Sequence, residues 1–501
     1  MTVEHVDVLI VGAGLSGVGA ACHLTRNLPD KTFAILEARG AIGGTWDLFR
    51  YPGIRSDSDM YTLGYSFKPW TDAKAIADGP SILSYIEETA REYAVDRHVR
   101  FHHRAVRAEW STDESQWTVQ VERTDTGETV TMTCDFLFMC SGYYRYDEGY
   151  VPDFPGTDRF AGQVIHPQHW PDDFDYAGKR VVVIGSGATA VTLVPAMAET
   201  AAHVTMLQRS PTYIIALPAE DAIANRLRKM LPAKAAYAVV RWKNVLLTML
   251  SFQLSRRRPH VMKAIIRKGL QRQLPANYEI AKHFSPTYNP WDQRLCLVPD
   301  GNLFRVLSEG TASIATDQIE TFTETGLALA SGEQLEADVI VTATGLNMLV
   351  LGGLELVVDG EKVTPSETVG YKGMMFSGVP NMAAAIGYTN ASWTLKCDLT
   401  CEYVCRLLAH MDEHGYRQVT PRWAEPELPE RPFIDLTSGY VLRSVDKFPK
   451  QGSRAPWRLY QNYFRDILML RRAPLDDGAL EFRRGREGAT ESPEPPLAAA
   501  G

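Results

Sequence analysis

The sequence predicts an α/β fold with two units of the same design, the second inserted into the first, and a further helical insertion. Two segments carry this prediction, residues 6–17 (V-D-V-L-I-V-G-A-G-L-S-G) and residues 180–190 (R-V-V-V-I-G-S-G-A-T-A). Each is an apolar, β-branched run, then a glycine turn, then a helical stretch, which is the start of a βαβ unit. The length of 501 residues also exceeds one ordinary core and predicts two or three domains.

The composition is that of a globular protein, with 45% hydrophobic and 22% charged residues. It excludes disordered, collagen-like and disulfide-rich classes, and the net charge of −8 gives no sign of a nucleic-acid binder. The seven cysteines include no C-x-x-C pair, so we expect free thiols in a reducing cytoplasm. We find neither a signal peptide nor a transmembrane segment in the pattern.

The first glycine turn has the G-x-G-x-x-G spacing of a Rossmann-like domain, with Gly12, Gly14 and Gly17 in register and Ser16 within it. The glycines permit a tight turn, close approach to a pyrophosphate and close packing of helix on strand. Glu37 lies 20 residues after Gly17, at the end of the next strand, where an acid accepts hydrogen bonds from a ribose. The unit is therefore predicted to bind FAD.

The second glycine turn is expected to hold phosphates with the loop Gly185, Ser186, Gly187, Ala188, Thr189 and Ala190. The strand that follows ends in Arg209 and Ser210, where the first unit has an acid. A cation at this place favours a 2′-phosphate, so the second unit suits NADPH. The alternative for Arg209 is a solvated surface arginine.

Two further strands, Cys134–Gly142 and Ala337–Gly345, share an acid, an apolar run and a terminal glycine. We expect both to close the first unit, one before and one after the inserted one. The predicted domains are FAD-binding (1–145 and 335–483), NADPH-binding (146–218 and 286–334), a basic helical insertion (219–285) and a disordered tail (484–501).

Residues 160–171 read F-A-G-Q-V-I-H-P-Q-H-W-P and match F-x-G-x-x-x-H-x-x-x-W-P through Phe160, Gly162, His166, Trp170 and Pro171. Residues 43–57 match a second pattern, [AG]-G-x-W-x-x-x-x-[FY]-P-[GM]-x-x-x-D. By these two motifs the chain resembles the type I Baeyer–Villiger monooxygenases over nearly its whole length, and within them a mycobacterial subgroup.

The resemblance implies an NADPH- and O₂-dependent enzyme that converts ketones to esters or lactones through a flavin peroxide, and that also oxidises thioethers or thioamides. It assigns Arg294 as the catalytic arginine and Asp57 as the aspartate that orients it. A charge pair at ~4 Å is worth ~4 kcal/mol at an effective dielectric near 20, and arginine stays protonated in almost any environment. The resemblance also extends the cofactor site to Gly44, Thr45, Trp46, Asp47 and Asp57, which it places beside the flavin.

Several alternatives remain open. Arg294 could be a buried ion pair between domains, and Asp57 part of a loop network. The runner-up enzymes are a flavin-containing N- or S-monooxygenase, which usually lacks Trp170 and Pro171, and an NADPH oxidase. A non-catalytic flavin scaffold is a further class. Gln293 replaces a lysine common in relatives, so the preference for NADPH over NADH is open, as are the natural substrate and the oligomeric state.

His166 and His169 form H-x-x-H without an evident third ligand, so no metal is predicted. The resemblance gives Phe160, Gly162, His166 and Trp170 a linker or conformational role. Residues 222–275 hold 13 Lys and Arg and no Asp or Glu. They predict either an ordinary basic helical subdomain or peripheral attachment to anionic lipid.

Overall fold

A computed structural model of the protein describes residues 3–424, 430–434 and 436–485. Nearly all of the predicted disordered tail lies outside these residues. The architecture is α/β with largely parallel sheets, as the sequence predicts.

The first sheet has nine strands and is built around Glu4–Val11, which pairs in parallel with Phe33–Leu36 and with Thr129–Met139. The apolar run of Glu4–Val11 is buried because helices cover the parallel part of the sheet. In spatial order the strands are Glu361–Val363, Glu355–Val358, His103–Ser111, Gln116–Arg123, Thr129–Met139, Glu4–Val11, Phe33–Leu36 and Val99–Arg100, with Met382–Ala384 also on Thr129–Met139. The strand predicted from Cys134 onward therefore belongs to the first sheet, where it lies between Gln116–Arg123 and Glu4–Val11.

The second sheet has five parallel strands, in the order Ala312–Thr316, His203–Gln208, Arg180–Ile184, Val339–Thr342 and Gln163–Ile165. Here one expectation was wrong. Val339–Thr342 pairs with Arg180–Ile184 and Gln163–Ile165, so it completes the second sheet rather than the first. The predicted boundary at residue 335 is thus too early, because an acid-strand-glycine pattern specifies a strand but not its partner.

Apart from the pair that connects the two sheets, described below, the remaining strands form one three-stranded meander and several two-stranded pairs. They are Ile319–Thr323, Gly326–Leu329 and Gln334–Glu336 in a meander, Ile214–Leu217 with Cys296–Pro299, Gly370–Tyr371 with Met375–Phe376, Gln418–Pro421 with Leu480–Arg483, and Arg431–Pro432 with Lys450–Gln451.

The α-helices are Leu15–Asn27, Thr45–Leu48, Met60–Leu63, Gly79–Glu92, Ala188–Met197, Ala222–Met230, Ala233–Arg257, Pro259–Gln273, Ile280–His283, Asn302–Glu309, Trp393–His414, Gly439–Leu442 and Tyr463–Ile467. Cys397, Cys401 and Cys405 are buried free thiols on Trp393–His414, where it packs on Leu15–Asn27. Among the described residues, no helix is both long and apolar enough to span a membrane.

The chain crosses between the two sheets twice, and the two crossings pair with each other. Tyr144–Gly149 leaves the first sheet, and Leu346–Met348 returns from the second, as an antiparallel pair. Backbone hydrogen bonds from Tyr150 N–H to Gly345 O (3.0 Å) and from Leu349 N–H to Tyr143 O (2.9 Å) extend this pair at both ends. The connection is therefore a two-stranded ribbon.

The segment predicted as a helical insertion contains four of these helices, and the longest, Ala233–Arg257, docks on the first unit. Arg241 is buried there and donates to the carbonyl oxygens of Tyr61 (2.8 Å) and Gly64 (2.7 Å) and to the Asp398 carboxylate (3.2 Å). Asp398 also faces His23 at 3.3 Å. One of the 13 basic residues is thus part of the core.

Candidate active site

The first glycine turn leaves no space for side chains at two of its glycines. Gly12 has a φ of +104°, and a Cβ there would lie 2.7 Å from the Cys140 carbonyl oxygen. A Cβ on Gly17 would lie 1.8 Å from the Gly12 carbonyl oxygen. The first bond inside the helix runs from Val18 N–H to Gly14 O, so the N–H groups before Val18 have no partner within the helix. This is the geometry that accepts a phosphate.

Glu37 lies directly beneath that turn and is buried. Its Oε2 accepts from Ala13 N–H at 2.8 Å, and its Oε1 accepts from Arg39 N–H at 2.9 Å. Burial raises the pKa of Glu37, while the two backbone hydrogen bonds act in the opposite direction. Each carboxylate oxygen keeps a lone pair for a ribose hydroxyl, so the residue fits the predicted role.

The segment after Gly43 returns to the first glycine turn. A Cβ on Gly44, whose φ is +57°, would lie 3.0 Å from Gly14 Cα. Thr45 and Trp46 begin the short helix Thr45–Leu48, and the Thr45 hydroxyl is 3.1 Å from the Tyr146 hydroxyl. The backbones of the first glycine turn and of residues 43–45 are therefore in close contact and form one continuous surface.

Two predicted side-chain contacts to a cofactor are taken up by the protein itself. The Asp47 carboxylate is buried and pairs with Arg39 Nη2 at 2.5 Å and with Arg50 Nη2 at 3.3 Å. The Ser16 hydroxyl accepts from Trp393 Nε1–H at 2.8 Å. At both positions the backbone is the better candidate for a cofactor contact.

The second glycine turn is the more open of the two. Gly185 has a φ of +136°, and a Cβ would lie 2.3 Å from the Ala343 carbonyl oxygen, whereas a Cβ on Gly187 would meet nothing within 4 Å. The first helical bond runs from Val191 N–H to Gly187 O. The N–H groups of Ala188, Thr189 and Ala190 therefore come before the hydrogen-bonded ladder and are available to an anion.

Polar side chains gather beside this second turn. The Ser186 hydroxyl is 2.8 Å from the Thr212 hydroxyl and donates to the Ser210 carbonyl oxygen at 3.3 Å. Arg209 and Ser210 follow the strand His203–Gln208 and are exposed. The structure thus brings both residues to the rim of the turn, with the Arg209 charge in solvent.

Arg294 and Asp57 come together from different parts of the chain. Arg294 Nη1–H donates to Asp57 Oδ2 at 3.1 Å, and about a third of each side chain is exposed (33% and 35%). Among the described residues, the buried Nε of Arg294 has no hydrogen-bond partner. The arginine therefore retains a donor for a bound molecule.

Three tyrosines surround the guanidinium. Burial acts against the charge of Arg294, but Tyr440, Asp57 and Tyr143 favour it and raise the pKa of Arg294 well above its usual value. Burial raises the pKa of Tyr440 to about 12 and that of Tyr144 well above its ordinary range. Tyr144 and Tyr440 are therefore neutral phenols at neutral pH, beside the fixed positive charge of Arg294.

The Arg294 loop is held from three sides. Asp292 accepts from Arg256 Nη1–H at 2.6 Å, and its carbonyl oxygen accepts from Thr437 N–H at 3.1 Å. Arg55 Nη2–H donates to the Leu297 carbonyl oxygen at 2.6 Å. The position of Arg294 is therefore fixed by the helical insertion through Arg256, by the C-terminal region through Thr437 and by the first unit through Arg55.

His166 follows the strand Gln163–Ile165 and packs against the ribbon between the two sheets. His166 Nε2 is 3.2 Å from the Gly345 carbonyl oxygen, and Nδ1 accepts from Gln168 N–H at 3.2 Å. Its ring fills the space that a Cβ on Gly149 would need.

The other residues of the same motif pack within the second unit. Phe160 lies in its core, and Trp170 contacts the ring of Phe174. A Cβ on Gly162 would lie 2.4 Å from the Asp338 carbonyl oxygen.

Two cavities share part of their lining. The larger has about 450 Å³ free of protein atoms and lies between Ala233–Arg257 and the first unit, with lining residues that include Val245, Met249, Phe252 and Leu395. The smaller, about 380 Å³, is lined by Tyr143, and both cavities include Tyr388 and Gln461. The smaller cavity therefore reaches Tyr143, one of the tyrosines around Arg294, and the two shared residues place the larger cavity next to it.

Two glycine turns on one chain, joined by a ribbon beside an arginine–aspartate pair, define a two-nucleotide α/β oxidoreductase architecture. Residues 6–350 match the family model described as flavin-binding monooxygenase-like. The chain belongs to this family.

Among its relatives is the FAD-containing monooxygenase EthA of Mycobacterium tuberculosis, 57% identical over 482 residues, which covers 96% of this chain and 98% of EthA. MymA of the same organism is 53% identical over 484 residues, 96% of this chain and 98% of MymA. These matches confirm the predicted mycobacterial subgroup. A steroid monooxygenase structure bound to NADP superposes with a TM-score of 0.76 at 24% identity, covering 96% of this chain and all of the other, and confirms the fold.

The sequence pattern did not predict the three tyrosines around Arg294. Tyr143 and Tyr144 directly follow a predicted strand and its glycine, so the carboxyl-end rule for ligands in α/β sheets was a usable signal. Tyr440 lies far along the chain in a stretch without periodicity, and no pattern marks it.

Proposed function

We propose that the protein is an NADPH- and O₂-dependent Baeyer–Villiger monooxygenase that inserts an oxygen atom beside the carbonyl of ketones, and that it also oxidises soft sulfur. The overall reaction consumes a ketone, O₂, NADPH and a proton and yields an ester or lactone, NADP⁺ and water. The Arg294–Asp57 pair carries the proposal, since it sets a permanent positive charge at the junction of the two nucleotide units. Tyr143, one of the tyrosines around this charge, lines a neighbouring cavity.

Both cofactors fit the residues present. The turn Gly12–Gly17 with Glu37 would hold the pyrophosphate and ribose of FAD, and the open turn at Gly187 with Arg209 would hold NADPH. FAD and NADPH held by these residues would supply the redox chemistry, hydride transfer from nicotinamide to flavin and reduction of O₂, from which the inserted oxygen would come.

Arg294 acts on charge that develops during the reaction. A ketone attacked at its carbonyl carbon gains negative charge on oxygen, and a preorganised guanidinium stabilises that charge without reorganising. The Nε–H of Arg294, without a partner among the described residues, is the donor that faces no competing acceptor. The raised pKa keeps the guanidinium protonated throughout the working pH range.

Asp57 is a positioning residue in this proposal. Its hydrogen bond to Nη1 fixes the rotation of the guanidinium and leaves Nε–H for the substrate. Burial keeps Tyr144 and Tyr440 neutral, so they enclose the site without adding a second negative charge. Their rings also provide apolar surface for the body of a ketone.

A defined assay tests the function. Purified protein with FAD, NADPH and air is given a panel of linear and cyclic ketones, thioethers and amines, and products are identified by mass spectrometry. We expect esters or lactones from ketones, sulfoxides from thioethers and one NADPH consumed per product. Hydroxylated amines without esters would favour the N-monooxygenase alternative, and hydrogen peroxide without any oxygenated product would favour the oxidase.

A further inference from the structure

The long helix of the insertion carries an apolar ridge on its outer side. The ridge consists of Val239 (50% exposed), Trp242 (42%), Leu246 (45%) and Leu250 (65%). Their spacing of three and four residues places them on one face of the helix. The residues by which the same helix docks, Tyr237, Val240 and Arg241, are buried on the other side. Packing within the fold therefore leaves much of the ridge uncovered.

The C-terminal region enlarges this apolar surface. Phe464 (39% exposed) stacks on Trp242 with ring centroids 5.7 Å apart, and Leu468 (59%) follows one turn later. Exposed apolar groups that are contiguous across two elements mark an interaction site, whereas single ones are ordinary.

The surroundings of the ridge are basic. The insertion exposes Arg226, Lys229, Lys234, Arg256, Arg257, Arg258, Arg267, Lys268 and Arg272. Arg256 is paired with Asp292, but within the described ranges none of the other eight forms an ion pair. Since residues 222–275 contain no Asp or Glu, their charge is available to an anionic partner.

We propose that this surface, the ridge with its basic border, docks the protein on an anionic lipid bilayer. A helix with Trp and Leu on one side and Lys and Arg around them lies in the plane of the membrane interface, with its apolar groups among the acyl chains. The basic residues then face lipid phosphates, and the indole of Trp242 has the amphipathic character of an interfacial anchor.

Other occupants fit the surface less well. A symmetric dimer through this face would bring the same acid-free basic surfaces together, with like charges opposed. A nucleic acid would satisfy the cations but would leave Leu246 and Leu250 in contact with water or phosphate.

The test is co-flotation of the FAD-loaded full chain with vesicles of phosphatidylcholine alone or with 30% phosphatidylglycerol, at ~50 and ~500 mM salt. We expect binding to the anionic vesicles, weakened at least about five-fold by high salt because surface charges are screened. Two variants separate the contributions, Leu246→Ser/Leu250→Ser for the ridge and Arg257→Gln/Arg258→Gln for the border. Each should reduce binding about ten-fold without changing the thermal unfolding midpoint by more than a few degrees.

The matched controls are Val151→Ser, at an exposed apolar residue outside the ridge, and Arg91→Gln/Arg97→Gln, at exposed arginines of the first unit. Both controls should bind like the parent protein. Equal binding to neutral and anionic vesicles, or equal losses in controls and variants, would overturn the proposal. So would a concentration-dependent dimer abolished by Leu246→Ser/Leu250→Ser, or retention on duplex DNA without retention on vesicles.

Discussion

Arg294 donates to the Asp57 carboxylate at 3.1 Å across a separation of 237 residues. The two residues belong to different segments that meet only in the folded protein. Arg55, two residues from Asp57, reaches the carbonyl of Leu297 beyond Arg294, so two contacts join the same segments. These two contacts fix the position of Arg294 relative to Asp57, and Asp57 is therefore placed to orient the guanidinium.

Replacement of Asp57 should impair oxygen insertion more than cofactor reduction. In Asp57→Asn the amide oxygen can still accept from Arg294, so we expect ester formation to fall about ten-fold, and Asp57→Ala should fall about a hundred-fold. Rates of anaerobic flavin reduction by NADPH, measured by stopped flow, should change less than three-fold in both. Asp158→Asn, at an exposed acid, is the control. Equal losses in the Asn and Ala variants would argue against an orienting hydrogen bond.

Arg209 should select NADPH. In Arg209→Gln the loss of a charge-assisted contact with the 2′-phosphate should raise KM for NADPH about ten-fold or more and leave KM for NADH within two-fold. Steady-state NAD(P)H consumption with both cofactors measures this. Arg305→Gln, at an exposed arginine of Asn302–Glu309, should change neither value. If KM for both nucleotides rose together, Arg209 would have a role other than phosphate recognition.

His166 should make stability depend on pH. Burial lowers the pKa of His166 in the folded protein below the pKa that the same side chain has in the unfolded chain. Nδ1 accepts a hydrogen bond from Gln168 N–H, so the folded protein favours the neutral imidazole. The unfolded state therefore takes up the proton first as pH falls, and stability declines below about pH 6.5. This contribution should disappear in His166→Gln.

The measurement is the thermal unfolding midpoint between pH 7.5 and 5.5. The parent protein should lose more than His166→Gln over this range, even though the variant is less stable at pH 7.5 because it lacks packing on Gly149. His169→Gln, three residues away and exposed, should keep the parent slope. Identical slopes for the parent and His166→Gln would show that the histidine does not titrate with unfolding.

Met249 should limit the size of the substrate. Met249→Trp adds bulk to the larger cavity, so kcat/KM for a long-chain ketone should fall about ten-fold or more, while that for a small ketone stays within two-fold. Product formation with a series of 2-ketones gives this comparison. Leu247→Trp places the same bulk on the exposed side of the helix and should leave the series unchanged. A uniform loss across the series would mean that the cavity is not the substrate path.

Much of the fold follows from local pattern. The two glycine turns, their strands and the helices of residues 222–273 are specified by apolar periodicity and turn chemistry, and each forms where the sequence predicts it. Strand pairing is different, because Val339–Thr342 has the same local signature as the strand ending at Met139 but joins the other sheet. The choice depends on contacts with Arg180–Ile184, which no local pattern encodes.

The candidate site divides in the same way. Gly12, Gly17 and Gly185 were predicted from the spacing of the glycines, which the turn requires because its backbone leaves no space for a Cβ at these positions. Glu37 was predicted from its distance along the chain to the turn. Arg294 came from the resemblance to a family. The engagement of Ser16 by Trp393 and of Asp47 by Arg39 depends on tertiary packing and required the structure.

Oxygen insertion that depends on Arg294 is the central claim, and isotope transfer in Arg294→Ala tests it most directly. The parent protein and the variant, both loaded with FAD, are given NADPH, ¹⁸O₂ and a ketone, and the ester is analysed by mass spectrometry beside the rate of flavin reduction. We expect one ¹⁸O atom per ester from the parent protein. Arg294→Ala should form at least about a hundred-fold less ester, with FAD still bound and still reduced by NADPH. Labelled ester at the parent rate from Arg294→Ala would show that oxygen insertion does not depend on the arginine.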